Sequence, residues 1–102
     1  MIINVSEEAK KAIQHVIDME QIPNPQLCIY GVTDDNMEIK YELLLLNGIP
    51  HVEDTVFDFE NFKISLNSTY QRTMIGTYLV DFSEYPYSSF SIVKVSEENS
   101  WT

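Results

Sequence analysis

The chain has 102 residues and a mass of 11.8 kDa, enough for one hydrophobic core and too little for a two-domain enzyme. Its apolar fraction of 44%, with three glycines and four prolines, is typical of a packed globular domain. Sixteen acidic against six basic residues give a net charge of −10, which repels phosphate backbones and anionic lipids. We expect a single domain over residues 1–102 that binds neither nucleic acid nor membranes.

The start of the chain has no basic stretch followed by a long apolar segment, so we expect no secretion signal. Even the run of four leucines, residues 43–46, falls far short of the roughly 20 apolar residues that cross a bilayer. The sequence therefore predicts a cytoplasmic protein.

One amphipathic helix is predicted near the N-terminus, after a short β-type run at residues 2–5. Ser6 offers a side-chain oxygen for the helix cap, and two glutamates follow in the first turn, where the helix dipole favours them. Prolines 23 and 25 end the pattern. The helix is expected over Glu7–Glu20, with one apolar face at three-and-four spacing made of Ala9, Ala12, Ile13, Val16 and Ile17.

The rest of the chain has the two-residue period of β-strands. A hairpin is predicted from residues 27–32 and 37–46, turned at Asp34, Asp35 and Asn36. The leucines at its end, Leu44 to Leu46, indicate burial on both faces. A second hairpin follows, from residues 55–59 and 62–66.

Three shorter features complete the predicted order of elements. Asn67, Ser68 and Thr69 are suited to cap a helical turn over residues 70–74. Two further strands are expected, at residues 77–82 and 90–95, and the polar residues 96–102 are expected to fray. Nothing in the sequence decides whether Trp101 is buried.

Few residues can carry chemistry, and they lie in no catalytic spacing. His15 falls beside the polar side of the helix and reads as a surface residue. His51 lies near Glu53 and Asp54, which makes these three the weak candidates for a cation site, although residues of this kind in a loop are more often solvated. With no nucleophile and no phosphate-binding loop, we expect no catalytic residues and no enzyme.

The acidic turn at residues 34–36 resembles the first residues of a calcium-binding loop. The sixth position from Asp34 is Ile39, where such a loop requires glycine, and no glutamate stands at the twelfth. We interpret it as a turn.

Cys28 is the single cysteine, so the chain can form no internal disulfide and no thiolate cage of its own. It lies between Leu27 and Ile29 without an adjacent cation, which predicts a small buried packing residue. The aromatic residues from 57 to 90 are expected to serve packing, with the exception that Tyr85, Pro86 and Tyr87 suggest an exposed contact surface.

The order of elements resembles the HesB/IscA-like family of A-type iron–sulfur carrier proteins. The resemblance is carried by residues 3–9 with the helix, and by the segments at 54–57, 62–67 and 76–82. It spans about residues 2 to 95. It implies a β-rich α+β fold, a small partly closed barrel or sandwich of mostly antiparallel strands with one long N-terminal helix.

The resemblance also implies a function in holding or donating iron or an iron–sulfur cluster, through three cysteines. The first of these positions falls at about Asn36, and residues 94–102, where the family has a Cys-x-Cys pair, contain no cysteine. An amide cannot replace a thiolate, and Cys28 is displaced from the ligand position. We therefore expect no bound cofactor.

Two functions from different classes remain open. The first is a non-catalytic, HesB/IscA-like protein that has lost cluster binding and acts as an accessory or protein-binding module, with a protein partner or a second copy of itself. The alternative is a small-molecule binder or an enzyme on the same scaffold that uses carboxylates in a cleft, which the order of the residues does not reveal. The carboxylates of Asp34, Asp35, Glu53 and Asp54 are expected to hold a hard cation only weakly.

Overall fold

The computed structural model describes residues 1–96, and this part of the chain forms one α-helix and seven strands. In chain order they are β1 (Ile2–Val5), α1 (Glu7–Glu20), β2 (Pro25–Thr33), β3 (Ile39–Asn47), β4 (Thr55–Asp58), β5 (Lys63–Leu66), β6 (Thr77–Ser83) and β7 (Ser89–Ser96). The tail that was expected to fray lies outside the described residues from residue 97 onward, and Trp101 lies there too.

The strands form two mixed sheets that pack as a sandwich. The three-stranded sheet has the order β1-β6-β7 and the four-stranded sheet the order β3-β2-β5-β4. The pairs β1–β6 and β2–β5 are parallel, and the other three neighbouring pairs are antiparallel. The predicted β-rich α+β class is confirmed in its sandwich form: β3 and β7 lie against each other, but the sheets do not close into a barrel.

Helix α1 has the predicted bounds because local signals define both of its ends. The Ser6 hydroxyl accepts a hydrogen bond from the Ala9 amide at 3.1 Å, and Gln21 ends the helix in the left-handed conformation. Ala9 and Ile13 are fully buried, while the expected burial of Val16 and Ile17 is only partial. Within residues 1–96, no helix is long and apolar enough to cross a bilayer.

One hydrophobic core joins the helix to both sheets. Its members come from β1, α1, β2, β5 and β6 and from the segments that flank β5: Ile3, Ala9, Ile13, Leu27, Ile29, Phe62, Ile64, Leu66, Met74, Tyr78 and Val80. Since β1 pairs in parallel with β6, 75 positions further along the chain, this core depends on contacts between residues that are distant in the sequence.

The expected burial of Leu44 to Leu46 on both faces is wrong. Leu45 is half-buried against the core, but Leu44 and Leu46 are 48% and 41% exposed. β3 is the edge strand of its sheet, and successive residues of a strand point to opposite faces whatever their hydrophobicity. The leucine run therefore alternates between the core and the opposite side of the sheet.

Both predicted hairpins are present, as the antiparallel pairs β2–β3 and β4–β5. The helical turn begins earlier than predicted, as a 3₁₀ turn at Ser68–Tyr70. Asn67 caps it, because its Oδ1 accepts the Thr69 amide at 2.8 Å. Gly76 then adopts a φ of 105° before β6 begins, a conformation that favours glycine.

Candidate functional site

The turn between β2 and β3 holds the position that the family resemblance assigns to its first ligand. Asn36 is exposed there, and its backbone amide donates to Asp34 Oδ1 at 2.9 Å. The Glu38 amide donates to the same oxygen at 3.0 Å, and Asp34 Oδ2 lies 3.8 Å from Lys40 Nζ. Both carboxylate oxygens of Asp34 thus serve the turn, as the turn interpretation of residues 34–36 predicts.

The residues His51, Glu53 and Asp54 lie in the loop between β3 and β4, bound to their own backbone. His51 Nδ1 accepts the Glu53 amide at 3.2 Å, and Asp54 Oδ2 accepts the His51 amide at 3.1 Å. Among the described residues, no group of three or more histidine, cysteine, aspartate or glutamate side chains is arranged to hold a metal ion. A cation site at this loop stays a prediction.

Cys28 lies in the middle of β2 and is half-buried, less than the packing interpretation predicts. Its Sγ is 3.3 Å from Ser65 Oγ, and the Ser65 hydroxyl donates to Gln26 Oε1 at 2.6 Å. Ser65 and Gln26 are 3% and 6% exposed, so their pairing satisfies polar groups that burial would otherwise penalise. No pattern in the sequence predicts this polar contact, because Ser65 is distant in the chain and its neighbours are apolar.

Cys28 and the β2–β3 turn do not combine into one site. Thr33, at the end of β2, lies five positions after Cys28, a distance of roughly 17 Å at about 3.3 Å per residue. Asn36 lies beyond that end, in the turn. The thiol of Cys28 therefore cannot stand in for the ligand that the family has near the position of Asn36.

A cleft with a volume of about 300 Å³ lies where residues 23–25, 48–50 and 59–63 meet. One wall holds the stacked rings of Phe59 and Phe62, whose centroids are 5.0 Å apart. The Asn61 amide donates to Gln14 Oε1 at 2.9 Å, which fixes this wall to α1. The cleft combines this aromatic wall with the polar side chains of Asn24, Glu60 and Lys63.

Among the residues that the structure describes, Asp81 and Tyr30 have shifted pKa values, and neither lies in the cleft or the turns. Hydrogen bonds from the Ser6 hydroxyl and the Phe82 amide lower the pKa of Asp81, at distances of 2.6 and 2.8 Å. Loss of hydration and the neighbouring carboxylate of Glu42 raise the pKa of Tyr30. The first contact joins the start of α1 to β6 and the second joins β2 to β3, so both serve the fold.

Two aromatic side chains stand apart from the core. Tyr85 is 87% exposed and Tyr87 is 71% exposed, in the loop that joins β6 to β7. The Ser83 hydroxyl donates to the Tyr85 carbonyl oxygen at 2.9 Å. The contact surface suggested by the sequence is thus at the protein surface.

No family model matches the chain, and no curated protein matches it. Solved structures do. SufA of Escherichia coli, described as involved in the biosynthesis of iron–sulfur clusters, has a TM-score of 0.75 at 16% identity, over 99% of this chain and 87% of SufA. A protein from Aquifex aeolicus has a TM-score of 0.68 at 21% identity, over 93% of each chain.

IscA, solved with a [2Fe-2S] cluster, has a TM-score of 0.66 at 11% identity, over 91% of this chain and 85% of IscA. The chain therefore has the fold of the A-type iron–sulfur carriers. The HesB/IscA-like resemblance found in the sequence is confirmed at the level of the fold, in a chain with a single cysteine.

Proposed function

We propose that this chain is a non-catalytic, HesB/IscA-like protein of the iron–sulfur cluster biosynthesis type that has lost cluster binding and acts as an accessory, protein-binding module. One observation carries the proposal. The fold matches SufA and IscA, yet the only cysteine lies mid-strand beside Ser65, and the turn that should supply a thiolate has Asn36.

The chemistry of ligation supports the loss. Iron–sulfur clusters are usually held by four soft thiolates, and one copy of this chain offers one. Two copies would offer two, from the middle of a strand in each. Carboxylates are hard ligands that prefer hard cations to sulfide-bridged iron. The proposal therefore includes no resident cofactor.

The proposal places the protein in the cytoplasm as a single domain over residues 1–102, with a protein partner or a second copy of itself as its binding partner. One unpaired cysteine is in keeping with a reducing compartment. The net charge of −10 supports the absence of nucleic-acid and membrane binding from this proposal.

The alternative of a small-molecule binder or enzyme has the cleft in its favour. Its volume of about 300 Å³ is at the lower end for ligand sites. Glu60 is the one carboxylate among its lining residues, so the cleft does not supply the pair of acids that acid–base catalysis commonly uses. The accessory function is therefore better supported.

The test is anaerobic reconstitution of the full chain with ferrous iron and sulfide, followed by chelator treatment and an absorbance scan. We expect colourless protein with no chelator-resistant sulfide-to-iron absorbance. Cys28→Ser is the matched control and should give the same result. A stoichiometric cluster that survives chelation would overturn the proposal, and its disappearance in Cys28→Ser would identify Cys28 as a ligand.

A further inference from the structure

The exposed aromatic surface of the described chain is concentrated at one point. Tyr85 and Tyr87 are 87% and 71% exposed, and they lie in residues 84–88, which we call the β6–β7 tip. All other aromatic side chains in residues 1–96 are buried or half-buried. An exposed tyrosine ring leaves apolar surface in contact with water, and tyrosine is enriched at protein interfaces.

Hydrogen bonds with the Ser83 side chain hold the backbone at Tyr85, and both tyrosine rings of the β6–β7 tip stay at the surface. The Ser83 hydroxyl donates to the Tyr85 carbonyl oxygen at 2.9 Å, and Ser83 Oγ lies 3.3 Å from the Tyr85 amide that donates to it. A tyrosine ring has few rotatable bonds, so ordering it on binding costs little entropy. The backbone that carries the Tyr85 ring is therefore in place before a partner binds.

Charge indicates which chemistry fits this surface. Residues 83–89 contain one acidic residue, Glu84, and no cation, in a chain of net charge −10. A cation placed over a tyrosine ring is attracted by the negative face of the ring. Arginine combines that attraction with a planar group that stacks on the ring and pairs with a carboxylate.

We propose that the β6–β7 tip is a docking site for an arginine-bearing segment of a protein partner. The proposal rests on the proposed function only in taking protein binding as the role of this chain. Two tyrosine side chains offer about 300 to 500 Å², against about 800 Å² per partner in a standard interface. The contact is therefore weak and transient when the tip acts alone.

The turn between β2 and β3 provides an internal comparison within the same molecule. Residues 34–38, the β2–β3 tip, carry three acids and the exposed side chain of Met37, but no aromatic ring. If charge alone attracted a basic partner, the β2–β3 tip would bind it better than the β6–β7 tip. If the aromatic rings determine binding, the basic partner binds the β6–β7 tip better than the β2–β3 tip.

The experiment is an NMR titration of the full chain at low salt with a peptide of alternating arginine and glycine. A second peptide has citrulline, the uncharged isostere, at every arginine. We expect amide shifts that centre on residues 84–88 with the arginine peptide and none with the citrulline peptide. Tyr85→Ser/Tyr87→Ser should weaken binding about tenfold, whereas Tyr85→Phe/Tyr87→Phe, which keeps both rings, should stay within about twofold.

The matched charge controls are Glu84→Gln at the β6–β7 tip and Glu38→Gln at the β2–β3 tip, which remove the same charge from exposed sites. We expect about a twofold loss with Glu84→Gln and no loss with Glu38→Gln. Equal losses in the two variants, unchanged binding in the double serine variant, or equal binding of both peptides would overturn the proposal. Cluster formation in reconstitution would instead overturn the proposed function and leave the peptide result intact.

Discussion

On the inner face of the four-stranded sheet, Leu27 and Ile29 are at most 2% exposed, whereas on the opposite, outer face Leu44 and Leu46 are 48% and 41% exposed. The two faces carry side chains of the same kind. They differ in what covers them, since α1 and the three-stranded sheet complete the core on the inner side. Burial here is decided by which way the pleat turns a residue, and only secondarily by its hydrophobicity.

Some residues on the outer face of the four-stranded sheet are nevertheless buried. Gln26 and Ser65 belong to it by register with Leu46 and Cys28, yet they are 6% and 3% exposed. Their hydrogen bond of 2.6 Å allows this burial, because a paired polar group is far less costly than an unpaired one. The inner face of the four-stranded sheet is therefore apolar and covered. The outer face leaves leucines exposed but buries one hydrogen-bonded polar pair.

The largest expected effect comes from placing a charge on the buried side of helix α1, inside the hydrophobic core. Ile13 is fully buried, so Ile13→Asp puts an unpaired carboxylate in the core and should unfold the domain. His15→Asp, at an exposed position of the same helix, is the control and should stay folded. Circular dichroism and thermal melting measure both. A wild-type melting temperature in Ile13→Asp would show that this helix face is misassigned.

A leucine pair compares the two faces directly. Leu27→Ala should lower the free energy of unfolding by about 3 kcal/mol, as is typical of large-to-small changes in a core. Leu44→Ala, on the exposed outer face, should cost less than about 0.5 kcal/mol. Urea denaturation of both variants gives the difference. Equal losses would mean that the outer face is covered in solution.

Gly31 tests how closely the inner face is packed near the end of β2. A Cβ at this position would lie 2.7 Å from Tyr70 Cε1 and 3.0 Å from Ile39 Cγ2. The Tyr70 ring itself packs against the Tyr41 ring, with 5.8 Å between the two ring centroids. Gly31→Ala should therefore cost about 1 to 3 kcal/mol through overpacking.

Gly48→Ala is the matched control for that substitution. The nearest atom to its added Cβ is Gln26 Nε2 at 3.7 Å, which is an ordinary contact. This variant should be neutral or slightly more stable, because alanine reduces the freedom of the unfolded chain. A loss with Gly48→Ala as large as that with Gly31→Ala would contradict the packing explanation.

The smallest effect is expected at the contact that fixes the start of α1. The Ser6 hydroxyl caps the helix and donates to Asp81 Oδ1 at 2.6 Å, so Ser6→Ala should cost about 1 kcal/mol. Thermal or urea unfolding at neutral pH measures the loss. Ser68→Ala, at an exposed position of the 3₁₀ turn, serves as control. An equal loss of stability in that variant would show that the loss in Ser6→Ala is not caused by the missing helix cap.

The same contact predicts a dependence on pH. Since the hydrogen bonds from Ser6 and Phe82 lower the pKa of Asp81 in the folded state, its ionised form contributes stability above the ordinary pKa of about 4. That contribution is lost as the pH falls through the lowered, folded-state value. The difference in melting temperature between the wild type and Asp81→Asn should therefore be largest near neutral pH and shrink in acid. A difference that grows in acid would contradict the direction of the shift.

The fold was predictable where local signals are strong. The bounds of α1 follow from the cap at Ser6 and the prolines after Ile22, and the β2–β3 hairpin follows from alternation around an Asp-Asp-Asn turn. For the candidate site, the sequence alone shows that the chain has one cysteine and that Asn36 stands near the position of the family's first ligand. The contact of Cys28 with Ser65 was not predictable, because 37 residues separate them.

By itself, then, the sequence determined the helix, the two hairpins, the family resemblance and the shortage of thiolates, since each depends on residue type or on neighbours within a few positions. Only the tertiary structure decided that β3 is an edge strand and that β1 pairs with β6 and β2 with β5 in parallel. These features come from long-range pairing, where many registers satisfy the same two-residue period. Packing of the shared core then selects one of them.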